Sequence, residues 1–241
     1  MDEQSQLKKQ LESEYQKLQD QNAELIRLLE KRDTQIRKIH HQIKNNLQIL
    51  ASFIRLQSLK QEDVTTAKYL NDTALRLNFF SLMQTHFFED NHEIVSQKSL
   101  ENFIFDIKNL LLHTFKIGVD QIKFLIRLVK IEITTDQMMT VGFILSEILK
   151  IILEFKPGEI QNREIVLRTK ISQHNLLHLE IMDSILKNMS YCEQFLSNSF
   201  EIELIRSLVQ YQLHGIIHLP DERNRTFSFQ FEVKSSKSPE S

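Results

Sequence analysis

The sequence predicts an α+β fold: an N-terminal coiled coil and a helical hairpin that form a dimeric four-helix bundle, followed by an α/β sandwich domain. Three observations lead there. Residues 1 to about 60 contain neither glycine nor proline and carry a regular apolar seam. A short polar break then separates that seam from a second helical pattern. From about residue 98 onward, helical and strand periodicities alternate.

In the first segment, Leu11, Tyr15, Leu18, Asn22, Leu25, Leu29, Arg32, Ile36, Ile39 and Ile43 advance in alternating steps of four and three, which is a heptad seam. Asn22 sits on it, where a buried amide fixes register and strand number at some cost in stability. A lone amphipathic helix packed on its own core is the competing reading. The seam is narrow and the remaining surface almost wholly polar, which favours a coil between chains. Gln61-Glu62-Asp63 is the break. Val64 to about Phe88 follows as a second helix, with Ala67, Leu70, Ala74, Leu77 and Leu82 inward. The polar run Glu89-Asp90-Asn91-His92 is a plausible domain boundary.

The later part reads as a helix over Ser99 to Phe115, a strand over Ile122 to Leu128, and a long helix over Asp136 to Phe155 that stops before Pro157-Gly158. Strands over Ile165 to Ile171 and Leu176 to Met182 come next, then a helix over Ser199 to Tyr211. Strands over Gly215 to Leu219 and Thr226 to Val233 close the domain. The expected division is therefore a coiled coil at 1–38, a hairpin at 39–94, an α/β domain at 98–234 and a polar tail at 235–241.

Composition narrows the function classes. The 241 residues are 41% hydrophobic and 26% charged, ordinary for a folded chain with a sizeable core. A formal net charge of -2 and the lack of a basic stripe give no reason to expect nucleic acid as a partner. The single cysteine, Cys192, excludes an internal disulfide and suits a reducing compartment, so the expected location is cytoplasmic. The start, Met1-Asp2-Glu3-Gln4, is polar and not a secretory signal, and no apolar run reaches the roughly 20 residues of a membrane helix. Only four glycines occur, at 118, 142, 158 and 215, with no pair spaced to let a backbone loop approach phosphate.

The most informative stretch is Ile39-His40-His41-Gln42-Ile43-Lys44-Asn45-Asn46-Leu47-Gln48-Ile49-Leu50. With Ile36, Ile39 and Ile43 on the seam, His41 falls midway between two inward positions and points to solvent, while His40 flanks the seam. The stretch resembles the phosphoacceptor box of one histidine-kinase family, of the pattern His-His-Arg-Val-Lys-Asn-Asn-Leu-Gln. It departs at Gln42, where that family usually has arginine, so the chemistry beside the histidine can differ. The resemblance implies that His41 is the phosphoacceptor. On the same helix face Arg37 and Asn45 lie a turn to either side, with Lys44 three residues on. The cations would hold phosphoryl oxygens, and the Asn45 amide would orient a water or phosphoryl group. An exposed histidine with no role is the bland alternative, and a twelve-residue motif in the right helical phase weighs against it. His174 with His178 and His214 with His218 have the spacing of helical zinc pairs. Histidines 178 and 218 fall on expected strands, however, where four residues span roughly 13 Å.

The resemblance continues, more weakly, into the last domain, whose order and length are similar to the ATP-binding domain of histidine kinases. There the family carries a Glu followed four residues later by an Asn that holds magnesium. Here Glu147 is kept and Ile151 takes the Asn position, without an oxygen for a hard cation. The family's Asp-x-Gly loop becomes Asp183-Ser184-Ile185, and the glycine facing the triphosphate becomes Glu201. These departures imply a degenerate ATPase-like domain that needs no cofactor, with ATP and magnesium not expected to bind, although Asp183 could still meet a purine ring.

The function expected is therefore two-component or phosphorelay signalling. His41 would accept a phosphoryl group and pass it to or from response-regulator receiver aspartates, without ATP-dependent autophosphorylation. Partners would be a second copy of the chain, one or more receiver domains, and an upstream sensor docked through the N-terminal coil. A pseudokinase adaptor or a regulator phosphatase using Asn45 is the alternative, with a weakly active kinase least favoured.

Overall fold

The computed structural model describes residues 2–88, 94–130, 132–154, 163–172, 175–184, 199–221 and 226–233. Several sequence expectations lie outside them: the polar run at 89–92, Pro157-Gly158, His174, Ile185, Cys192 and the tail at 235–241.

Helix α1 runs unbroken from Asp2–Ser58, and α2 from Val64–Phe88 lies beside it as the second arm of the hairpin. Asp63 starts α2: its carboxylate accepts the Thr66 backbone N–H at 2.7 Å and the Thr66 hydroxyl. At the same end Ser58 donates from Oγ to Asn71 Oδ1 at 2.8 Å, tying the arms together. Within the hairpin the partly or fully buried residues of α1 are Ile36, His40, Lys44, Leu47, Ala51, Ile54 and Ser58. This corrects one expectation. Ile39 and Ile43 are not inward in the hairpin but exposed, as are Leu11, Tyr15, Leu18, Leu25 and Leu29. Apart from Ile36, the large apolar residues of the seam thus stand exposed on a single chain.

After the hairpin come β1 (Ile94–Ser96), α3 (Gln97–Thr114), β2 (Ile122–Arg127), β3 (Glu132–Thr134) and α4 (Thr135–Glu154). Then follow β4 (Arg163–Ile171), β5 (Leu176–Asp183), α5 (Phe200–Ser207), β6 (Ile216–His218) and β7 (Thr226–Glu232). The main sheet has the order β2-β4-β5-β7-β6, with β2 and β4 parallel and the remaining pairs antiparallel. Alternation sends Ile165, Leu167, Leu177, Leu179, Ile181, Phe227, Phe229 and Phe231 to one buried face, against α3, α4 and α5. The sequence reading missed β1 and β3, which pair antiparallel as a separate two-stranded sheet. Strands of three residues are too short to show a period.

Helix α3 starts two residues earlier than expected because Ser96 caps it, accepting the Ser99 backbone N–H. Ser199 does the same for α5 through Ile202. The last turn after α5, Leu208–Gln212, is a π-helical turn. The core is continuous across both parts of the chain. Leu75, Phe79, Met83 and Phe87 of α2 share one buried cluster with α3, α4 and the sheet. Gly142 of α4 makes that possible, since a Cβ there would meet Phe103 at 2.9 Å, Phe87 at 3.0 Å and Met83 Sδ at 3.1 Å.

Candidate functional site

Near the open end of the hairpin, α1 and α2 enclose a shallow hollow. Arg37, His40, His41 and Lys44 line it from α1, and Gln84, Thr85 and Phe88 from α2. Residues 37, 40, 41 and 44 share one side of a helix because they advance by three, one and three. The two histidines have opposite surroundings. His41 is exposed, whereas His40 is partly buried and stacks on Phe88 with ring centroids 4.6 Å apart. The Nδ1 atom of His40 lies 3.0 Å from Gln84 Oε1, within hydrogen-bond distance. The side chain of His41 is left open to approach from outside.

Of the four residues the sequence singles out here, the structure brings Arg37, His41 and Lys44 to the hollow. Asn45 is exposed on the same helix but is not among the hollow's lining residues. The α2 contributors Gln84, Thr85 and Phe88 were missed, since nothing in the sequence sets which residues of the second arm lie opposite position 40. The lining carries two cations and no carboxylate, which suits an anion.

The second set of singled-out residues lies on α4, α5 and β5. Glu147 is fully buried and accepts two hydrogen bonds from Arg76 of α2, each at 3.0 Å. Glu201 lies 3.2 Å from Lys150 Nζ and 3.4 Å from Arg76. Burial works to raise its pKa, but its own backbone N–H, Lys150 and Arg76 together hold the carboxyl below the usual range. For Arg76, burial opposes the charge, while Glu147, then Glu201 and Asp72, more than offset it and push its pKa up. Ile151 is buried in the core. Asp183 is also buried and paired with Arg163, whose guanidinium reaches both carboxylate oxygens and also donates to the Ile152 carbonyl. Sequence reasoning missed Arg163 because it began that strand two residues too late.

Histidines 178 and 218 lie on β5 and β6, which are not neighbours in the sheet. Among the described residues no group of three or more His, Cys, Asp or Glu side chains could hold a metal ion. Among them too, no helix is long and apolar enough to cross a membrane.

Residues 38–112, which contain His41 and both arms of the hairpin around the hollow, match a family model described as histidine kinase. No curated protein matches the sequence significantly. Among solved structures, the chain is similar to the histidine kinase domain of the blue-light activated histidine kinase EL346 of Erythrobacter litoralis. That match has a TM-score of 0.56 and 16% identity, and covers 84% of this chain and 94% of that one. The longer EL346 structure matches with a TM-score of 0.57 at 16% identity over 83% of this chain, which spans only 59% of that kinase. A hairpin of two long helices followed by an α/β domain is the fold these structures share with it. The segment 38–112, with its histidine box, thus resembles the histidine kinase family, and the chain shares the fold of a histidine kinase domain.

Proposed function

We propose that the protein is a two-component signalling component that carries a phosphoryl group on His41 and exchanges it with receiver aspartates, without making phosphohistidine from ATP. The observation that carries this reading is a contrast between two sites. His41 is exposed beside a cationic hollow, while Glu147, Asp183 and Glu201 are each held by cations of the same chain. A carboxylate already paired with two arginine N–H groups has little left to offer a magnesium ion. Asp183, the one residue kept for a purine in the sequence reading, faces Arg163 instead.

The chemistry asks little of the site. A neutral ring nitrogen of His41 attacks the phosphorus of a receiver's aspartyl phosphate, and the N–P bond forms as the P–O bond to the carboxylate breaks. The carboxylate leaves with the electron pair, and the other ring nitrogen sheds its proton to solvent. Arg37 and Lys44, which line the hollow with His41, would neutralise phosphoryl oxygens during transfer in either direction. In-line approach of a second protein needs an exposed imidazole, which His41 supplies and His40 does not.

Label transfer from a phosphorylated receiver domain tests the reading. Acid-labile label is expected on the wild type and on His40→Ala, at a reduced rate, and none on His41→Ala; ATP with magnesium is expected to label none of them. Undiminished labelling of His41→Ala would move the acceptor to His40. No labelling of any protein, with loss of label from the receiver, would make the protein a phosphatase.

A further inference from the structure

Helices α2 and α4 meet along a row of charges that the phosphotransfer chemistry does not use. On α2, Lys68, Asp72 and Arg76 follow one another at four-residue steps, with signs plus, minus, plus. On α4, Glu147, Lys150 and Glu154 read minus, plus, minus. They pair one rung per helical turn: Lys68 with Glu154 at 2.7 Å, Asp72 with Lys150 at 3.0 Å, and Arg76 with Glu147 at 3.0 Å. Glu201 of α5 bridges the two inner rungs, through Lys150 and Arg76. From these contacts we infer that the ladder is a clamp that fixes the hairpin and the α/β domain in one register.

A slip of one helical turn is the ratchet step by which one packed helix changes partners along another. In one direction it sets Lys68 against Lys150 and Asp72 against Glu147. In the other it sets Asp72 against Glu154 and Arg76 against Lys150. Either way, three rungs of opposite charge give way to two of like charge, next to groups that are buried: Glu147 is 0% exposed and Lys150 1%. Like charges brought together out of water strongly disfavour the slipped state. Burying the ions costs solvation, so the ladder selects an arrangement more than it adds stability. Apolar packing holds the same surfaces together further along, where Phe80 stacks on Phe143 with centroids 4.9 Å apart. The α4 face that carries Glu147 and Lys150 is thereby closed by the chain's own hairpin.

A distance measurement on the full chain tests the clamp. Spin labels go on Gln57→Cys in the hairpin and Gln210→Cys in the α/β domain, in a Cys192→Ser background. The labelled protein is assembled with excess unlabelled protein, so that distances within one chain are read. One narrow distance is expected. Asp72→Lys, which sets a cation against Lys150, is expected to split it or broaden it about twofold. Lys68→Glu should broaden it less, and adding Glu154→Lys should restore the width. A broad distribution with the ladder intact, or an unchanged narrow one in Asp72→Lys, would overturn the inference. Should Asp72→Lys not fold by circular dichroism, Asp72→Asn gives the reading on the same criteria. No arm uses phosphate, so the clamp and the phosphotransfer reading fail separately.

Discussion

His40 and His41 are chain neighbours with different fates, because one helical residue is a rotation of about 100°. That rotation carries His40 onto Phe88 and Gln84 and leaves His41 in solvent. The same logic separates Asp183 from an open ligand site, since strand alternation turns it to the buried face with Arg163. Asp183→Ala leaves a buried guanidinium charge without its carboxylate and should cost about 3–5 kcal/mol in urea unfolding. A loss under about 0.5 kcal/mol, the usual size for an exposed surface position, would show Asp183 to be open to solvent.

At the scale of elements, the junction of α2, α4 and α5 has a definite pH window. Glu201 has a lowered folded pKa, so its contribution is complete above the unfolded value of about 4.3 and is lost as pH falls through the folded value. Lys68 is raised, chiefly by its hydrogen bond to Glu154, so its contribution is complete below about 10.4 and is lost as pH rises through the folded value. Glu201→Gln should therefore melt below the wild type at pH 7, and the gap should close as pH drops under about 4. Thermal scans followed by circular dichroism measure it. A gap that stays constant down to pH 3 would show that the Glu201 charge does not matter. The ladder itself is visible in the sequence once α2 and α4 are known to run side by side. Without that knowledge, charges at four-residue steps read as a solvated face.

For the whole molecule, the exposed apolar residues of α1 call for a second chain. Ile39 is 53% exposed, Leu50 50% and Phe53 59%, on a helix whose other side already packs on α2. A bundle of two hairpins would cover them, and we expect dimers at micromolar concentration. Ile43→Asp with Leu50→Asp should return the light-scattering mass to that of one 28.6 kDa chain while leaving the helical content of the folded monomer. A wild type that already scatters as a single chain would rule out this assembly.

The sequence by itself determined the order of elements, because each depends on local periodicity and turn chemistry. The long helices, the five strands of the main sheet and the Ser199 start of α5 are all legible that way. The exposure of His41 was also legible, although the hairpin contact falls on Ile36, His40, Lys44 and Leu47 rather than on Ile39 and Ile43. The tertiary structure decided which groups are spent inside the protein. That Glu147 belongs to Arg76, Asp183 to Arg163 and Glu201 to Lys150 depends on contacts between residues 20 to 71 positions apart. No local pattern encodes such distances. It also decided that the side of α1 facing α2 differs from the side bearing Ile39 and Ile43, because one helix must serve two neighbours and a heptad pattern names only a seam.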